Sequence, residues 1–200
     1  MILPFSDEEE KIYVANLAKV NEELQQLYDI EGSDKMQILK MLTRLRQLCL
    51  EPRLVYDNID QPSSKLKACM ELIKTMQENK QKVLLFSSFT SALDLIAEEC
   101  QKAGITYYML TGSTNKEERR ELVSRFQKDD TTLFLISLKA GGTGLNLTSA
   151  ENVIHYDPWW NVSAQNQATD RAYRIGQKNN VQVFNLVMKD SVEEKIIEMQ

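Results

Sequence analysis

From Ser63 onward the chain alternates between stretches with helical rhythm and short runs of β-branched and aromatic residues. The helical stretches cover about 64–79, 91–103, 115–128 and 163–174, with a last helix from Ser191. The apolar runs are KVLLFSS at 82–88, TYYML at 106–110, TLFLIS at 132–137, NVIHY at 152–156 and VQVFNLV at 181–187. Apolar runs this short, separated by helices, read as the strands of βα units, which assemble into a parallel sheet covered on both faces. The sequence therefore predicts an α/β fold. Ligands of such sheets gather beyond the carboxyl ends of the strands, so the loops that follow the runs are where chemistry is expected.

Residues 1–62 obey a different period. Ser6 with Glu9 three positions on is a capping box, and the acids around it suit a helix N-terminus. Ile12, Leu17, Val20, Leu24 and Leu27 recur at helical intervals, and after the EGSD break Met36, Leu39, Leu42, Leu45, Leu48 and Cys49 form a second stripe. Arg44 and Arg46 fall off that stripe, and Pro52 ends the helix. Residues 51–62 read as a linker, so the division expected is 1–62, a helical protrusion with its linker, and 63–200, the α/β lobe.

Charge bears on partners. The formal charge of −5 resides entirely in residues 1–62, which hold 12 acidic and 7 basic side chains, while residues 63–200 hold 17 of each. A nucleic-acid reading must therefore rest on local groups rather than on a net basic field. Cys49, Cys69 and Cys100 have no metal-ligand spacing, so no zinc site and no disulfide framework is expected, and the thiols read as reduced. No apolar run approaches the ~20 residues of a membrane span, and MILPFSDEEEK does not read as a signal peptide. The expectation is a soluble intracellular protein.

Two strings carry candidate chemistry. SLKAGGTGLNL at 137–147 packs three glycines into four positions, which suits either a plain tight turn or a nest of backbone amides around an anion. It matches neither the dinucleotide fingerprint nor the Walker phosphate loop. ATDRAYRIGQ at 168–177 places Arg171 and Arg174 three residues apart, on one face of the helix. One reading is a solvated face with Asp170 as partner. The other is a phosphate-binding pair, favoured by the polar helix SAQNQATDRAYR beside a glycine loop.

QATDRAYRIGQ resembles the last conserved motif of superfamily-2 helicase-like ATPases, and the full string is similar to the SWI/SNF branch of double-stranded-DNA translocases. The resemblance extends through ILKMLTRLRQLCLEPRLV, SSKLKACMELI, KVLLFSSFTSALDLI, YYMLTGSTNKEERRELVSRF and LISLKAGGTGLNLTSAENVIHYDPWWN. SVEEKIIEMQ, which breaks off still helical, resembles the start of a brace helix. The resemblance implies the second of two RecA-like lobes, a three-layer lobe with a mainly parallel sheet preceded by an α-helical segment. It implies ATP with Mg2+ held mainly by a first lobe, and neither a Walker lysine string nor a D-E-x-H string occurs in this sequence. The partners implied are that first lobe and the backbone of double-stranded DNA.

By the same resemblance Arg171 and Arg174 would act as arginine fingers and Gln167 would help orient the site. Gly142, Gly144 and Asp170 would lie on the nucleotide side, with Asp170 fixing an arginine. Ser88, Thr111, Gly112, Lys139, Ala140 and Gly141 would approach the phosphates of one strand, and Trp160 the DNA; one of Trp159 and Trp160 is expected to be core beneath the loop, and which of them touches DNA stays open. Tyr173 stands where many relatives carry His, and Val162 where Pro is usual, so the helix start is open. His155 is expected to be a satisfied core imidazole. HYDPWWN with ATDRAYR reads as prokaryotic, implying a cytoplasmic, nucleoid-associated protein, or a nuclear one in a eukaryote. A docking module without motor function is the alternative.

Overall fold

Three strands buried along their whole length make the centre of the sheet in the computed structural model, which describes residues 1–28, 35–141 and 144–200. They are β2 (Val83–Ser87), β4 (Leu133–Ser137) and β5 (Asn152–His155), and β3 (Tyr107–Leu110) and β6 (Gln182–Asn185) flank them. The order is β3-β4-β2-β5-β6, and every pairing is parallel. Val83 lies opposite both Leu133 and Asn152, which aligns the carboxyl ends of the three central strands.

Alternation along the strands divides the core in two. Val83, Leu85, Leu133, Leu135 and Ile154 face α3 (Ser64–Glu78) and α4 (Thr90–Ala103). Leu84, Phe86, Phe134, Ile136 and Val153 face α5 (Lys116–Lys128) and α7 (Val162–Thr169). This is the expected three-layer arrangement. Ser63 caps α3 by accepting from the Leu66 amide at 3.0 Å, and Asn115 caps α5 by accepting from Glu118 at 2.9 Å. The run at 181–187 breaks at Leu186: β6 stays in the main sheet, while β7 (Val187–Met188) pairs with β1 (Ile2–Leu3) in a small parallel ladder.

The hairpin of α1 (Asp7–Tyr28) and α2 (Lys35–Leu50) packs Tyr13, Val20, Met41, Leu45, Leu48 and Cys49 against Met188 of the lobe. The expected capping box forms, with Ser6 and Glu9 exchanging bonds of 3.3 Å. Glu9 Oε1 also accepts from the Ser64 amide at 2.7 Å, tying the hairpin to the start of α3. Met36 and Leu39, expected on the buried stripe, are exposed, because the seam of a two-helix hairpin covers a narrower arc of α2. The EGSD break lies outside the described residues. Residues 51–62 are pinned at both ends: Glu51, 1 % exposed, pairs with Arg53 at 3.2 Å and accepts from the Ser63 amide at 2.9 Å.

Candidate functional site at the carboxyl edge of the sheet

The glycine string begins as a helical turn, α6 (Leu138–Gly141), entered directly from β4. Ser137 Oγ accepts from the Ala140 amide at 3.4 Å. Ala140 and Gly141 are buried, and a β-carbon on Gly141 would lie 3.3 Å from Phe86 Cε1. Lys139 is exposed, and its Cβ lies 3.5 Å from where a β-carbon on Gly112 would sit. The loop after β3 and the turn after β4 are therefore adjacent, bringing Thr111, Gly112 and Lys139 together. Thr111 is secured by its neighbours, its amide donating to Thr114 Oγ1 at 3.0 Å. Of the residues expected near a phosphate strand, Gly112 and Lys139 are exposed and Thr111 half-buried, while Ala140 and Gly141 are buried beneath them.

Gly142 lies outside the described residues. Gly144, at φ +46°, opens on a groove of about 650 Å³ walled by Thr114, Lys116, Arg119, Arg120 and Asn146. Lys116, Arg119 and Arg120 thus line this groove from the first two turns of α5, which also carry Glu117, Glu118 and Glu121. The paired arginines of KEERREL were the signal for it, and sequence reasoning passed over them.

The arginine segment departs from expectation. α7 is capped by Asn161, whose Oδ1 accepts from the Ala164 amide at 3.1 Å, and it ends at Thr169, short of both arginines. A helix beginning one residue after its cap at 161 and ending in the turn at 170 cannot display Arg171 and Arg174 as one helical face. Instead, turns carry the chain through bonds from the Arg171 amide to the Ala168 carbonyl and from the Gln177 amide to the Arg174 carbonyl, at 3.2 and 3.1 Å, with Gly176 at φ +106°. Gln177 staples this stretch, its Nε2 lying 2.9–3.0 Å from the carbonyls of Thr148, Ala150 and Ala172.

Arg171 is 6 % exposed and donates from Nε to the Gly141 carbonyl at 3.2 Å, while its own carbonyl accepts from the Leu147 amide at 3.1 Å. The glycine turn and the arginine segment are hence one structural unit. Burial, and then the charge of Arg174, hold the Arg171 guanidinium below its usual value, with Asp170 opposing. Arg174, Asp170 and Gln167 are exposed at the same edge. The buried glutamine is Gln165, which accepts from the Trp159 amide at 3.2 Å and donates to Asn185 at 3.0 Å.

Trp159 is 2 % exposed and Trp160 46 %, so Trp159 is the one in the core. Ser88, expected near the phosphate strand, directs both its amide and its hydroxyl at Asp157. Sequence reasoning missed Asp157, a buried carboxylate that also accepts from Ser87 Oγ at 2.6 Å. His155 is 1 % exposed, and burial pushes its pKa down to about 4. Its Nε2 lies 2.8 Å from Thr169 Oγ1, which itself donates to the Gln165 carbonyl at 3.3 Å, so the imidazole is the donor in the first bond. Among the described residues no cluster suits a metal ion, and no helix is long and apolar enough to cross a membrane.

The helicase conserved C-terminal domain family matches residues 64–176. A putative ATP-dependent helicase/translocase, YwqA of Bacillus subtilis, is 38 % identical over 97 % of this chain and 22 % of its own length. Among solved structures, the C-terminal domain of a Sulfolobus solfataricus SWI2/SNF2 ATPase superposes with a TM-score of 0.81 at 27 % identity, covering all of this chain and 82 % of that one. The ATPase core of the same archaeon, in complex with double-stranded DNA, gives 0.82 at 32 % identity over 99 % of this chain and 42 % of that one. The chain spans about a fifth of the length of the curated relatives it matches.

Proposed function

The chain belongs to the helicase conserved C-terminal domain family and is a RecA-like lobe of the SWI/SNF type, and on that footing we propose that it is the second motor lobe of an ATP-dependent double-stranded-DNA translocase. ATP with Mg2+ binds mainly on a first lobe, and this lobe closes on the phosphates with Arg171 and Arg174. Arg171 stabilises charge that develops on the γ-phosphate, a role that contributes roughly 10³–10⁵ in rate where arginine fingers act. Arg174, exposed at the same edge, reaches the adjacent phosphates, and Gln167 and Asp170 orient the pair.

The observation that carries this reading is the bond from Arg171 to Gly141, which fixes a guanidinium on the glycine turn at the ligand edge of a parallel sheet. The DNA side is Thr111, Gly112, Lys139 and Trp160, with Lys116, Arg119 and Arg120 of α5 nearby. Contacts of this kind grip phosphate without reading sequence. The solved relative bound to double-stranded DNA supports duplex as the track.

The test is ATP turnover by this chain with and without the lobe that precedes it in the proposed motor, each assayed with duplex, single-stranded and no DNA. Turnover is expected only with both lobes present, and stimulation is expected to be greatest with duplex. Turnover by the 200-residue chain by itself would overturn the reading.

A further inference from the structure

One side chain of the helical hairpin reaches the carboxyl edge of the sheet. Arg46 of α2 donates from Nη2 to Ser88 Oγ at 2.9 Å and to Asp157 Oδ2 at 3.3 Å. Its guanidinium carbon lies 4.9 Å from the ring centroid of Phe89 and 5.9 Å from that of Trp160. A single cation thus touches the loop after β2, the loop after β5 and a half-exposed indole.

The hydrogen bonds of Asp157 do not rest on this arginine alone, but Arg46 is the cation paired with its buried charge, at 3.3 Å. The carboxylate is 1 % exposed and already accepts from Ser87 Oγ, the Ser88 amide and the Ser88 hydroxyl. What the arginine adds beyond that charge is geometry. A planar guanidinium can lie against aromatic faces while its edge makes hydrogen bonds, which an ammonium cannot do. Trp160 directly precedes Asn161, the cap of α7, and α7 ends two residues before Arg171.

We propose that Arg46 is a positioning residue for the DNA grip, holding the Trp160 ring at the edge so that the duplex backbone meets a preformed platform tied to the helical hairpin. The proposal rests on the motor-lobe reading above. In it, Arg46 touches neither nucleotide nor DNA. Its effect is on how much duplex is needed, not on the chemical step.

The experiment uses the protein with both lobes, labelled with 5-fluorotryptophan, the Trp160 signal being identified by its loss in Trp160→Phe. Arg46→Ala and Arg46→Lys are each expected to move the Trp160 fluorine resonance before any DNA is added. Each should raise the duplex concentration for half-maximal ATPase stimulation about tenfold, the scale of losing a preorganised contact rather than a bond to DNA. Turnover at saturating duplex should stay within about twofold of the parent. An unmoved resonance, or Arg46→Lys matching the parent in half-saturation, overturns the proposal, and so does turnover that falls at unchanged half-saturation. A resonance that Arg46→Ala moves but duplex does not would refute the DNA reading itself, and the proposal with it.

Discussion

Arg171 donates from Nε to the carbonyl oxygen of Gly141 at 3.2 Å, so the arginine beyond α7 is anchored on backbone rather than on a carboxylate. Removing it strands no buried anion. In a two-lobed protein Arg171→Ala should therefore lower duplex-stimulated turnover by about 10³ or more while costing the fold about 1 kcal/mol. Arg171→Lys should rescue little, since a point charge lacks the planar fork. Turnover and thermal melting of the same preparations separate the two effects.

Gly141 is constrained from the other side. A β-carbon there would sit 3.3 Å from Phe86 Cε1, and that ring is fully buried, stacked on His155 at 5.6 Å and edge-on to Trp159 at 6.2 Å. The ring has no room to give, so the turn must. Gly141→Ala is expected to destabilise by about 1–3 kcal/mol, the range for overpacking. It should also lower turnover, because the displaced carbonyl is the one that orients Arg171. Gly112→Ala, where the nearest atom would be Lys139 Cβ at an ordinary contact distance of 3.5 Å, should cost less stability. Chemical denaturation of the two variants side by side measures the difference.

The strands were legible because burial on both faces makes them continuous apolar runs, and KVLLFSS, TLFLIS and NVIHY each became a buried strand trimmed by a residue or two. Helix ends were less so. The polar string through Arg174 has helical composition, but the helix stops at Thr169, where the turns that bring Arg171 onto Gly141 take over. Long-range partners were not legible at all. Arg46 and Asp157 stand 111 residues apart and Lys65 and Glu193 128, and no local pattern links either pair. The exposed Met36 and Leu39 show the opposite limit: periodicity marks an apolar face without saying how much of it is shielded from water.

His155 makes stability depend on acidity in a defined window. Burial lowers its pKa from the ordinary 6.5 to about 4, so between those values the unfolded chain binds more protons than the folded one. Stability contributed by the neutral ring is full above about pH 6.5 and is lost as pH falls toward 4, by up to about 3 kcal/mol. His155→Gln removes the titrating group. The gap in unfolding free energy between parent and variant should shrink or reverse on going from pH 7 to pH 4.5. A pH-independent gap would rule out the imidazole as the source.

The helix α8 (Val192–Met199) is held by a pair of charges with almost no access to water. Lys65 and Glu193 are 0 % and 1 % exposed, with Nζ 2.6 and 2.8 Å from the two carboxylate oxygens. Nζ also donates to the carbonyls of Tyr156 and Leu186 at 2.9 and 3.2 Å, and Glu193 accepts from the Met188 amide at 2.9 Å. Burial raises the Glu193 pKa, while the Lys65 ammonium acts against that rise. Breaking such a pair leaves an uncompensated buried charge, so Lys65→Met should cost about 3–5 kcal/mol. Apolar replacement of both partners often restores stability elsewhere. Here it should restore little, because the Tyr156 and Leu186 carbonyls and the Met188 amide would remain buried without partners. Lys65→Met combined with Glu193→Leu is thus expected to stay at least about 2 kcal/mol below the parent in urea unfolding, with faster amide exchange across 192–199. Full recovery in the double variant would mean that the ion pair, not the backbone groups it serves, sets the energetics of this joint.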